Sequence, residues 1–319
     1  MASPGIDMTQ IFGPFYWGVV VALLLSGITI LQAYIYFPSS RDKHSVQIVA
    51  GSMLVLDMVS SALIVQSLYY YLVPHFGSLA PLDSVTPELS AECLISTIIT
   101  FISQMYFVYQ IYTVKNLGGR NWIVISTISL CAFLAFVGGV GCVGSMYKFH
   151  HGVLSHRNDV FSIFFGLAKG FGALTDIIAT TAMCFYLSES RTGIRETNSL
   201  IKSLMKFVVH RGALVTLIQT LLLITFYASP LNIYWIAFHV NVTKLYANTF
   251  FAMLNGREHI LNKHGPRKGS KALSFSTSSI GTSHHHSRID EQAFHSRSTE
   301  HHPGLEMPTI SKSVVIADI

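Results

Sequence analysis

Seven stretches of twenty or more predominantly apolar residues follow one another along this chain, and no other feature limits its folding as severely. They lie near Gly13–Phe37, Val46–Leu72, Leu89–Tyr112, Trp122–Met146, Val160–Leu187, Phe207–Tyr227 and Leu231–Leu254. A helix needs about 20 such residues to cross a hydrocarbon layer about 30 Å thick. The breaks are polar or turn-forming: Pro38 with Arg41-Asp42-Lys43, then Pro74 to Pro87, Lys115 to Arg120, Lys148 to Asp159, the 188–206 loop, and a Ser229-Pro230 corner. Half of the 319 residues are hydrophobic and only 12% are charged, with a mean hydropathy of +0.47. A soluble domain carries roughly 25% charged residues, so a soluble enzyme, a disordered chain and a disulfide scaffold are all disfavoured. The expected fold is all-α: a seven-helix transmembrane bundle.

Orientation follows from the loops, because cytoplasmic loops retain Lys and Arg. One side collects Arg41, Lys43, Lys115, Arg120, Arg191, Arg195, Lys202 and Lys206, with Arg257, Lys263, Arg267, Lys268 and Lys271 beyond the last stretch; the other holds Lys148 and Arg157. The expectation is an N-terminus (1–12) outside, a membrane domain over 13–256 and a cytoplasmic tail over 257–319. The first stretch lacks a basic n-region and is too long for a signal-peptide core, so it reads as a retained anchor. Aromatic residues at Tyr16-Trp17, Tyr34, Tyr36-Phe37, Tyr69-Tyr70-Tyr71, Trp122 and Tyr234-Trp235 mark interfaces. The basic charge serves orientation and contact with anionic lipid; nucleic acid is not an expected partner. The partners expected are the bilayer and that anionic lipid, with room for a small-molecule ligand and a cytoplasmic partner of the tail. The sequence leaves open whether the membrane is the plasma membrane or an endomembrane.

The tail changes composition to Ser, His, Gly and charge without helical period, and reads as disordered. It holds eight of the fifteen histidines, including His284-His285-His286 and His301-His302, taken as a polar tract without a bound ion. All four cysteines, Cys93, Cys131, Cys142 and Cys184, fall inside stretches and read as small buried hydrophobes. A Cys93–Cys142 pairing stays open.

Charges inside hydrocarbon are costly and turn toward the bundle interior, where they pair. Asp57, Lys169, Asp176 and Lys244 stand well inside stretches, with Glu92 and His239 nearer the outer end. At 1.5 Å per residue, Lys244 is roughly 20 Å and Asp176 roughly 24 Å from their outer ends, with Asp57 roughly 16 Å from its inner end. Lys244 therefore reaches the depth of both carboxylates. Asn241, Lys244, Asn248 and Asn255 form one helical stripe, and Lys169 and Asp176 share another. The resulting cluster, Asp57, Asp176, Lys244, Asn241, Asn248 and Lys169, is either a midplane ligand or ion site or a buried network that fixes packing. Gly166-x-x-x-Gly170 and the glycines at 138, 139, 141 and 144 suggest close helix approach.

No nucleophile–base pair or phosphate loop is recognisable. With only His239 clearly inside a stretch, neither a metal site nor a cofactor is expected, and an enzyme is not expected. A transporter usually shows helices broken by Gly or Pro in matching halves; the stretches read as free of internal proline, with Pro230 at a corner. Rhodopsin-like receptor signatures are missing: the third stretch ends Tyr109-Gln110-Ile111-Tyr112, and the seventh lacks Asn-Pro-x-x-Tyr; Val240, four before Lys244 where retinal-binding microbial rhodopsins carry an acid, speaks against retinal. A receptor or sensor is the leading reading, and a transporter or channel for a proton or small solute the alternative.

Thr175-Asp176, Arg191-Thr192-Gly193, Thr197-Asn198-Ser199-Leu200-Ile201, Thr243-Lys244-Leu245-Tyr246-Ala247-Asn248 and Leu254-Asn255-Gly256-Arg257 resemble a large fungal family of seven-helix membrane proteins, abundant in basidiomycetes and catalogued as a domain of unknown function. Gln32 to Phe37, Leu56-Asp57 and Tyr71-Leu72-Val73 extend the resemblance to roughly residues 13–260. Asn198 departs from it, where the family usually has Asp. The resemblance implies a fold, a membrane location and a shared polar core at Asp57, Asp176, Lys244, Asn248 and Arg257, but no activity.

Overall fold

Without water to satisfy its N–H and C=O groups, a lone chain segment in hydrocarbon must bond to itself, and helix is the solution. A computed structural model describes residues 8–40, 42–75, 85–115, 122–149, 158–189, 195–229 and 232–264. They form α1 (Met8–Ser39), α2 (His44–Leu72), α3 (Pro87–Lys115), α4 (Trp122–Phe149), α5 (Asp159–Glu189), α6 (Arg195–Ala228) and α7 (Tyr234–His264). Six helices contain a segment long and apolar enough to cross a membrane: Phe12–Pro38, His44–Leu72, Pro87–Thr113, Trp122–Lys148, Asp159–Glu189 and Val208–Ala228. The chain is a multi-pass integral membrane protein.

Three features differ from expectation, two of them boundaries. The first helix does contain proline: Pro14 and Pro38 both lie in α1, which corrects the reading of proline-free stretches. Both sit near its ends, where a missing N–H disturbs the ladder least. The helix α6 begins at Arg195, inside the expected 188–206 loop, since Arg, Glu and Lys are good helix formers once apolar residues are not required. For the same reason α7 continues through Arg257 to His264. The rest of the expected tail, 265–319, and the loop residues Arg41, Arg120, Arg157 and Arg191 lie outside the described residues.

Each helix packs on its chain neighbours, α7 closes the ring against α1, and α3 reaches inward to both α5 and α7. Directions follow from the pairs in contact. Ser26 meets Asp57 and Phe12 meets Tyr71, so α1 and α2 are antiparallel. Asn241 meets Gly18 and Asn255 meets Gln32, so α7 runs parallel to α1. Large apolar side chains cover the outside, with Trp17 65% and Leu24 67% exposed, as a surface facing lipid requires. The aromatic clusters divide between skin and interior. Trp17, Tyr34, Tyr69 and Trp122 face outward, whereas Tyr36, Tyr71 and Trp235 turn inward. There Phe165 stacks on Phe226 at 4.0 Å, and Trp235 sets its edge against both.

The seventh helix is built differently. No side chain from Trp235 to Leu254 is exposed, so this segment meets protein on all sides and has no need of an apolar face. Its polar residues lower its hydropathy for that reason. Close approach is arranged by glycine: a Cβ at Gly18 would fall 2.7 Å from Ala237 Cα, and one at Gly138 2.6 Å from Ala168 N. The Gly166/Gly170 pair does not mark a helix crossing. Gly166 makes room for the Tyr227 hydroxyl, while a Cβ at Gly170 would meet nothing.

Candidate functional site

Two groups of polar side chains meet around α7. In the first, Lys244 Nζ lies 3.1 Å from Asp57 Oδ1, and both side chains are 0% exposed. The ammonium also donates to the Asp57 carbonyl and to Ser61 Oγ, each at 2.8 Å, with Ser60 Oγ at 3.3 Å. Ser26 from α1 donates to Asp57 Oδ2 at 2.7 Å. Ser60 and Ser61 lie one turn beyond Asp57 on the same face of α2, which is why both reach the lysine. An ion pair in this setting must offset several kcal/mol of desolvation per ion, and the surrounding hydroxyls and carbonyl complete what the pair alone leaves unmet.

The network continues into α3. Ser60 donates to Glu92 Oε1 at 3.2 Å, and Glu92 Oε2 lies 3.2 Å from His239 Nε2. Cys93 Sγ stands 3.4 Å from the same nitrogen. Ser96 and Thr243 pair at 2.6 Å one turn deeper. Glu92 and His239 thus join the Asp57–Lys244 pair through one serine.

The second group lies farther along α7. Tyr246 donates to Asp176 Oδ2 at 2.5 Å, and Gln219 from α6 lies 3.4 Å from the same oxygen and in contact with the Tyr246 hydroxyl. Arg211 is buried nearby: it donates to Ser103 Oγ at 2.6 Å and lies over the Phe107 ring at 4.6 Å. Asp176 thus receives neutral donors, with Arg211 acting on it at longer range.

Of the expected cluster, the structure brings Asp57 and Lys244 together; Asp176 is not the lysine's partner. Asn241 and Asn248 leave the pair altogether. Their amides, with Asn255, donate to the α1 carbonyls of Gly18, Leu25 and Gln32 at 3.0, 2.7 and 2.9 Å. These six residues keep a constant separation of 223 positions, a seven-residue repeat shared by two parallel helices. Lys169 is seven positions from Asp176 yet serves another place, lining a cavity with Cys93, Cys142 and His239. Cys93 and Cys142 are both free thiols.

Sequence reading passed over Arg211, Gln104, Gln219 and Tyr246. Arg211 lay inside the drawn sixth stretch, four residues from its start, and was a legible charge. Gln104 and Gln219 are buried, but an uncharged amide in a span carries a weaker signal than a charge.

Residues 172–259 match the family of unknown function DUF6534. This segment runs from the middle of α5 into the end of α7, and so holds Asp176, Arg211, Gln219, His239, Lys244, Tyr246 and the three asparagines. Asp57 and Glu92 lie outside it. No curated protein and no solved structure matches the chain.

Proposed function

We propose that this is a non-enzymatic, seven-span membrane protein of receptor or sensor type, in which the Asp57–Lys244 pair holds the resting arrangement of α7. The observation that carries the reading is the complete enclosure of that pair, on the helix that the rest of the bundle surrounds. Burying a charge pair gains little stability over apolar packing, so its use here is to fix one arrangement and to release another when disturbed. Parallel contact with α1 at three successive levels supports α7 as a seventh crossing at the depth of α1. The excess of Lys and Arg in one set of loops supports an outside N-terminus and a cytoplasmic tail. The fungal resemblance over 13–260 is wider than the family match and supports the same fold. The non-enzymatic part rests on the sequence reading alone.

The test is water access to position 244. Lys244→Cys, in a chain lacking the four native cysteines, is labelled with membrane-impermeant thiol reagents from each side; Ser60→Cys reports on the same contact if the first variant does not fold. Labelling from outside only is expected. Labelling from both sides, changing with pH or solute, would replace this reading with transport of a proton or small solute, which the unbroken line Glu92–Ser60–Lys244 favours as the second reading. Protection from both sides would assign the pair a purely structural role.

A further inference from the structure

We propose that Glu92, Cys93 and His239 form a binding site for a divalent transition-metal ion of the zinc type. The three ligand atoms lie within 4.8 Å of one another and all three side chains are buried. His239 Nε2 is 3.2 Å from Glu92 Oε2 and 3.4 Å from Cys93 Sγ. A ring nitrogen has one position for a proton or a metal, yet a carboxylate oxygen and a sulfur both crowd this one. With metal bonds of 2.0–2.3 Å, neighbouring ligand atoms in a tetrahedral site stand roughly 3.3–3.6 Å apart. The two shorter separations already approach that spacing.

The ligand types select the ion. One thiolate, one imidazole and one carboxylate suit zinc and its neighbours, not magnesium or calcium, which take oxygen. Thiolate and carboxylate together cancel the ion's two charges, the condition for holding it away from water. Ser60 orients Glu92 through its other oxygen, as the outer partners of metal ligands do. Three protein ligands leave a fourth position, and a small open-sided cavity of about 30 Å³, lined by Cys93, Cys142, Met146, Phe161, Lys169 and His239, adjoins the triad. Binding breaks the Cys93 S–H bond and forms an S–metal bond, releasing that proton to solvent, while the proton between His239 Nε2 and Glu92 passes to Nδ1 of the neutral ring as Nε2 takes the metal. The site does not depend on the receptor reading.

Full-length protein in detergent is titrated with Co²⁺, whose thiolate-to-metal charge-transfer band reports sulfur ligation. One ion per chain is expected, with the band displaced by Zn²⁺, absent in Cys93→Ser and retained in Cys142→Ser; His239→Gln is expected to lower affinity at least tenfold. Any Co²⁺ held by histidine nitrogens alone gives no such band, so the stoichiometry is counted on the band. Metal uptake without it, or a band that persists in Cys93→Ser, overturns the proposal. Should the variants not fold, alkylation of the wild-type thiols decides: Zn²⁺ must shield Cys93 selectively, and equal labelling with and without Zn²⁺ overturns the site.

Discussion

Asp57 and Asp176 are the same side chain in the same bundle, and they are held in opposite ways. Asp57 takes a full positive charge at contact distance, ringed by serines. Asp176 takes a phenol and a carboxamide, while Arg211, which acts on it at longer range, donates to Ser103. A buried carboxylate can be met by charge or by neutral donors, and the choice decides what a substitution breaks. Removing one member of an ion pair strands the other charge; removing one neutral donor leaves the rest in place.

The largest effect is therefore expected at the pair. Lys244→Met should lower the free energy of unfolding by about 3–5 kcal/mol, read as a drop in thermal midpoint in detergent. Replacing both members, Asp57→Leu with Lys244→Met, should recover most of that loss. A double variant as unstable as the single would mean that the serines, not the charges, hold α2 to α7. Next comes Tyr246→Phe, which deletes the donor to Asp176 and should cost about 1–3 kcal/mol. The smallest effect sharpens the contrast. Asp176→Asn keeps an oxygen for Tyr246 and should cost about 1 kcal/mol, whereas Asp57→Asn should cost several times more by stranding Lys244. Equal losses in the two asparagine variants would break the comparison.

Among the described residues the order of the helices was legible because a membrane crossing demands a length, visible as runs such as Trp122–Met146; six helices meet that demand. Depth was legible too, since 1.5 Å per residue placed Lys244 level with Asp57. Which carboxylate it meets was not, because that depends on how each helix is rotated about its axis. The stripe of Asn241, Lys244, Asn248 and Asn255 looked like one face, yet its asparagines address α1 and its lysine addresses α2. A stripe wide enough to touch two neighbours is ambiguous from periodicity alone. Glu92, Cys93 and His239 illustrate the same limit, since two of them stand on α3 and one on α7. The polarity of α7 left a site and a buried packing network both open, and much of it marks a helix enclosed by protein.

The shared repeat of α1 and α7 has a mechanical consequence. Three amides at positions 241, 248 and 255 engage carbonyls at 18, 25 and 32, like a rack with a tooth every second turn. The three contacts share one period, so sliding α7 along α1 strains them all together. Axial travel of α7 that keeps these contacts carries α1 along with it. The two helices then form a single lever, and the sliding seams are those that the pair shares with α2, α3 and α6.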